Sequence, residues 1–423
     1  MAQKMKTILI IHDELKARKA LCLSTFFSFC GIWVDQIGAD RSRTAEKILD
    51  GYDVVLNLWE EETDVPQKRS WKEPVVLVDF RRMDGGKGAE NCENVINYCL
   101  DTVLRDKNWT EDSDFSTMRA LSRIYQEESL RIFDYNGRYY FYDKELSDKT
   151  YTHYKSTYKK LNLLNPEGMN ELMLLYAKAY CIKCMNNLDL LNENVLAYDA
   201  LKVISAMEEK MEGKDCSPSY SFLMGQLLLN MEERSARFPA VRYFNQCRYE
   251  MRKTGNHMLG FGKVYYAIGS YWEKVREQVG RALDAYNYAY EEDDCAFRAI
   301  YKLAMYELDF EEAEFLYRRI LRILENKRLN NCLQPMETEY VYKTLFRLES
   351  LYIKNDKRAG VQECCEKIEE LYQNHRSRSQ FYDEFYDDPE SGATARELTG
   401  KRILPRQPKI KMNNYFNKKI GRQ

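Results

Sequence analysis

The residues that could carry chemistry are few in this 423-residue chain. Cys181 and Cys184 form a single CxxC, a spacing that can exchange a disulfide or supply half a zinc site. No second pair and no neighbouring histidines complete it, so AYCIKCMNN reads as helix interior with packed, reduced thiols. His12, His153, His257 and His375 are too scattered to share a metal, and no metal is expected. The acids worth testing are Asp13 with Glu14, the run Glu60, Glu61 and Glu62, and Glu73 behind Ser70 and Trp71. A carboxylate can hold a cation or act as a general base once a fold presents it to a substrate. RRMDGGKGAEN (81–91) sets Arg81, Arg82 and Lys87 around a glycine turn that could hold an anion. It lacks the GxxxxGK[ST] spacing of a nucleotide loop, and a plain turn is the simpler reading.

Composition bounds what such groups could serve. Apolar residues make up 44% and charged residues 31%, the profile of a soluble protein, and a net charge of -2 gives no overall pull toward nucleic acid or membrane. No apolar run is long enough to span a bilayer, and the start has no signal-peptide core. A cytoplasmic protein of two or three domains is expected.

The elements that would position the candidates change character along the chain. From 7 to 104, short β-branched runs alternate with helical segments. TILII (7–11), IWVDQ (32–36), YDVVLNLW (52–59) and PVVLVDF (74–80) read as strands. ELKARKALCLSTFFSFC, stopped at Gly31, then SRTAEKILDG and ENCENVINYCLDTVL read as helices. Continuous apolar strands between helices predict a parallel, flavodoxin-like α/β domain over 1–104.

KTILIIHDE followed by EKILDGYDVVLNL resembles the opening of a response-regulator receiver domain, which would make Asp13 and Glu14 part of an acidic magnesium pocket. The phosphoacceptor place at the end of the third strand holds Asn57 and Leu58, so such a receiver would not be phosphorylated in the usual way. Asp79 stands where the family has Ser or Thr. Gly31-Ile32-Trp33-Val34-Asp35-Gln36 is also similar to the second strand of TIR domains. In NAD-cleaving members a glutamate behind a Ser/Trp pair does the chemistry, and Ser70, Trp71 and Glu73 echo that motif at short spacing, with Glu62 as the other acid. Pro74 follows at once and disfavours a helix presenting Glu73.

Beyond 166 the pattern is helical and repeats. Ala200-Ile204-Met207, Ala240-Phe244-Cys247, Ala282-Tyr286-Ala289, Ala313-Tyr317-Ile320 and the weaker Val361-Cys365-Ile368 stand at i, i+4 and i+7, separated by 40, 42, 31 and 48 residues. Each triplet places a small residue and two larger ones on one helix face, where a neighbouring helix can approach closely. Such intervals suit helical-hairpin repeats. Ile268 and Gly269, followed by Ala282, Tyr286 and Ala289, resemble the small/aromatic signature of a tetratricopeptide repeat, displaced by one residue in the turn. The next unit departs from it, because Leu303 and Ala304 precede Ala313 by too few residues.

Residues 105–165 read as a bridge with a polar linker (106–114), a helix, and a hairpin at Asn136-Gly137 between aromatic runs. Residues 376–423 read as a polar, disordered tail whose last 23 residues hold eight Lys or Arg and no acid. The expected whole is an α/β domain (1–104), a bridge (105–165), an all-α tetratricopeptide-like solenoid (166–375) and a tail (376–423). Its expected work is to bind a protein or peptide on the helical array, with self-association through the first domain, and with no cofactor, membrane or nucleic acid as partner. The alternative is a TIR-type effector that takes NAD as substrate and is regulated by the helical region.

Overall fold

A computed structural model describes residues 6–12, 17–38, 52–58, 76–79, 92–103, 111–128, 144–188, 194–231, 233–254, 258–293, 295–329, 333 and 335–375. Four parallel strands, β1 (Thr7–His12), β2 (Trp33–Gly38), β3 (Val54–Asn57) and β4 (Val76–Asp79), pair in the order β2-β1-β3-β4. These are the first four positions of the flavodoxin-like order. The β1 run Ile8 to Ile11 is at most 1% exposed, as a central strand covered on both faces requires. Burying each such side chain contributes about 1.5–3 kcal/mol.

Helix α1 (Ala17–Phe29) packs on β1 and β2, and ends where Gly31 takes φ +84 while Ile32 N–H bonds back to Phe27 C=O at 3.0 Å. Only glycine takes that left-handed stop cheaply. Helix α2 (Cys92–Tyr98) packs against α1 and runs into a π-helical turn, Cys99–Val103. Cys181 and Cys184 are free, whereas Cys22 on α1 is disulfide-bonded, a feature the dispersed cysteines gave no sign of.

Helix α3 (Asp112–Glu128) opens inside the stretch expected as linker, since Asp112 and Asp114 stabilise its first turn by their charge. The 20-residue α4 (Lys144–Leu163) follows where the sequence suggested no helix. The remaining helices are α5 (Glu171–Leu188), α6 (Asn194–Met211), α7 (Pro218–Leu229), the short α8 (Arg234–Arg237) and α9 (Ala240–Thr254). They continue as α10 (Phe261–Lys274), α11 (Val279–Glu292), α12 (Phe297–Tyr306), α13 (Phe310–Leu329), α14 (Pro335–Lys354) and α15 (Arg358–His375).

Five successive pairs pack together: α5 with α6, α7 with α9, α10 with α11, α12 with α13, and α14 with α15. All five triplets lie on the second helix of a pair. Ala200, Ala240, Ala282, Tyr286, Ala289, Ala313 and Tyr317 are all buried, Tyr317 being the most exposed of them at 4%. The fifth triplet is off by one position, because the buried face of α15 runs through Val361 and Cys364 and leaves Cys365 partly exposed.

The chain divides into two compact units. One comprises Met1–Asp134 and Thr150–Asp294, so the sheet and the first three helix pairs belong together. The other comprises Tyr135–Lys149 and Cys295–Gln423 and holds the last two pairs. The hairpin read at 136–137 and the tail at 376–423 lie outside the described residues. No described helix is long and apolar enough to cross a membrane.

Candidate functional site

In a parallel α/β sheet the carboxyl ends of the strands are where ligands bind. The register brings Ile11 beside Asn57, Asn57 beside Asp79, and His12 beside Gly38. His12, Asn57 and Asp79 thus end three adjacent strands at one edge. Asn57 is buried at 2% and holds the position where a receiver needs its phosphoacceptor. An amide there cannot form an acyl phosphate. Asp13 and Glu14 follow β1 in the chain, Glu62 and Glu73 follow β3, and Arg81, Arg82 and Lys87 follow β4. All seven lie outside the described residues.

At the opposite, amino-terminal edge the same unit encloses a cavity of about 540 Å³. It is assembled from the chain just before β1 and β2 and from the first turns of α3, α5 and α7. Lys6, Cys30, Asp114, Asn170, Lys210 and Tyr220 are among its walls. Two of its lysines are paired, Lys6 with Asp215 and Lys210 with Glu171 at 2.6 Å. Asn170 caps α5, its Oδ1 accepting from Met173 N–H at 3.2 Å, while its Nδ2 donates to Asp114 at 2.5 Å. Ser217 Oγ caps α7 and donates to the Lys6 carbonyl at 2.9 Å. Lys6 and Thr7 N–H both donate to Asp53 Oδ2, at 2.9 and 3.0 Å, yet burial raises the Asp53 pKa above the usual range. Burial also pushes the Cys30 thiol and the Tyr220 hydroxyl upward, so neither is an activated nucleophile. Most of the polar groups named in its walls are bonded to one another.

A third cluster ties the sheet to the helices. Asp35, in the middle of β2 and 2% exposed, accepts on Oδ2 from Trp33 Nε1 at 2.8 Å, Tyr52 OH at 2.8 Å and Gly260 N–H at 3.0 Å. Its Oδ1 takes the Lys263 ammonium at 2.8 Å. Tyr52 OH in turn accepts from Leu259 N–H at 3.0 Å, and burial together with the Asp35 charge raises its pKa well above the usual value. Gly260, the residue before α10, has no side chain to cap the helix, and Asp35 supplies the missing carboxylate from another element. Sequence reasoning passed over Asp35. Its one local signal was an acid two residues after Trp33, on the same face of the strand.

Among the described residues no group of three or more His, Cys, Asp or Glu is arranged to hold a metal ion. Comparison with protein-family models, with curated proteins and with solved structures gave no match.

Proposed function

We propose that this chain is a cytoplasmic signalling or scaffold protein that binds a protein or peptide partner on a tetratricopeptide-like array, with a TIR-like or receiver-like first domain that senses or self-associates without bond chemistry. The observation that carries this reading is the placement of four small/large triplets, each opened by a buried alanine, on the second helices of four successive pairs, with the fifth pair's buried face shifted by one residue. That is the packing logic of a helical-hairpin repeat. The first helices of the first three pairs meet the α/β domain through Phe29–Tyr180, Trp33–Phe222 and Asp35–Lys263, so the partner surface is assigned to the first helices of the last two pairs. Asn57 at the end of β3, where an acyl phosphate cannot form, supports a first domain that binds and does not react. The Asp35 cluster gives that domain a rigid route to the third helix pair.

The test is site-specific photocrosslinking in the source cell. A crosslinker at Tyr306 on α12 and at Arg347 on α14, both exposed, should capture one common protein, and a crosslinker at Asn287 on α11 should not. Equal capture from all three, or none, would refute the array as the binding surface. A disulfide such as that at Cys22 is uncommon in a reducing compartment. Thiol counting by mass shift on protein taken directly from the cell therefore tests the location.

A further inference from the structure

Helix α9 presents a polar face rich in cations. Arg242, Asn245, Gln246, Tyr249, Arg252 and Lys253 recur at helical spacing and are all exposed. The face spans about 16 Å at 1.5 Å per residue. Tyr249 stands in its middle, 56% exposed, with the Lys253 ammonium 4.7 Å from its ring centre. Arg248, partly exposed beside it, lies 5.7 Å from the ring of Tyr265, which stacks at 5.5 Å on Tyr288 of α11. Tyr288 is itself 54% exposed. The helix has one carboxylate, Glu250, and it turns away, accepting from Ser221 Oγ at 3.1 Å and from Gln246 Nε2 at 3.0 Å. Among the described residues no carboxylate forms a salt bridge with Arg242, Arg248 or Arg252.

We infer that this face binds single-stranded nucleic acid, a partner the sequence did not lead us to expect. Arg242, Arg252 and Lys253 on the face, with Arg248 beside it, can follow a phosphate backbone, and the exposed rings of Tyr249 and Tyr288 offer stacking platforms that need an unpaired base. Asn245 adds an exposed amide able to meet a base edge. Glu208 on α6, which accepts from Tyr243 of α9, and Glu250 bound the strip on one flank, and Asp284 and Glu291 are exposed on α11 beyond Tyr288. The strip is therefore about one helix wide, roughly 10 Å, too narrow for the paired backbones of a duplex. An acidic peptide would satisfy the cations but would leave the exposed rings without a flat partner.

The experiment is fluorescence anisotropy with the full chain and labelled oligo(U) and oligo(dT) of about 12 nucleotides, beside a duplex of the same length and a Glu-rich peptide of equal charge. Binding to the single strands should weaken with salt at a log–log slope of about −2 to −3, as three or four phosphate contacts require. Tyr249→Ala should lower affinity about 5-fold or more, and Arg252→Glu about 10-fold with a flatter slope. Both positions are on the surface, and unchanged circular dichroism will show that each variant folds. Oligonucleotide binding that neither substitution alters would place it elsewhere, on the basic tail for instance, and overturn the inference. So would tighter binding of the peptide or duplex, or no binding at low salt.

Discussion

Asp35 and Lys263 form an ion pair of 2.8 Å between residues 228 positions apart, one in a central stretch of β2 and the other in the first turn of α10. The two partners contribute unequally. Asp35→Ala strands Trp33 Nε1, Tyr52 OH and Gly260 N–H in a buried space, and should cost about 3–5 kcal/mol in urea denaturation. The Lys263 side chain is 55% exposed, so Lys263→Met should cost less than about 1 kcal/mol. Equal losses would mean that the ion pair, and not the buried hydrogen bonds, holds the sheet to the helix.

Gly269 and Tyr286 show how closely the third helix pair packs. A Cβ built on Gly269 would lie 2.5 Å from the Tyr286 ring, and one on Gly225 would lie 2.6 Å from the Phe244 ring. Alanine is the better helix former by about 1 kcal/mol, yet overpacking costs about 1–3 kcal/mol. Gly269→Ala and Gly225→Ala should therefore destabilise the chain by a net of up to about 2 kcal/mol, the balance of those two terms. Gly280 on α11 has open space around it, so Gly280→Ala should be neutral or slightly stabilising. Thermal melts of the three variants decide between close packing and loose contact.

How much of this was legible follows from the range of each interaction. The strands were readable because β1 to β4 are short apolar runs whose neighbours in the chain differ in character. The triplets were readable because i, i+4, i+7 spacing is local, and the buried face of α15 was misread by one residue because Cys364 and Cys365 are the same residue type. Helix α4 was missed because KELSDKTYTHYKSTYKKLNL is polar and threonine-rich, so its period is carried by tyrosines that equally suit a hairpin. The Asp35 cluster and the cavity were out of reach because their parts come from segments far apart in the chain. The acids of the carboxyl edge stay as sequence expectations, since 59–75 lie outside the described residues.

Glu250 gives a pH-dependence. Burial raises its pKa above the usual carboxyl value, with Gln246 and Ser221 bonds opposing. An acid whose folded pKa is raised is protonated more readily when folded. Its cost is absent below about pH 4.3, the ordinary glutamate pKa, grows as pH rises toward the folded pKa, and is complete above it. Glu250→Gln should therefore be more stable than the parent at pH 8 and equal to it near pH 4. A variant that is less stable at pH 8 would show that the charge is net favourable where it sits.

Cys181 is fully buried and its thiol pKa is pushed well up by burial. Iodoacetamide should leave it unmodified in the native chain and label it on unfolding, and zinc chelators should not change the melting temperature. Rapid native labelling or a chelator-sensitive melt would restore CxxC chemistry to the reading.

The proposed function is binding without catalysis, and its most direct test is nicotinamide release from NAD by the purified full-length chain, alone and with lysate of its source cell, beside Glu73→Ala and Glu62→Ala. No release from any of the three proteins under either condition is the result the account predicts. Release by the parent chain that either substitution abolishes would contradict it and identify a TIR-type NAD-cleaving enzyme.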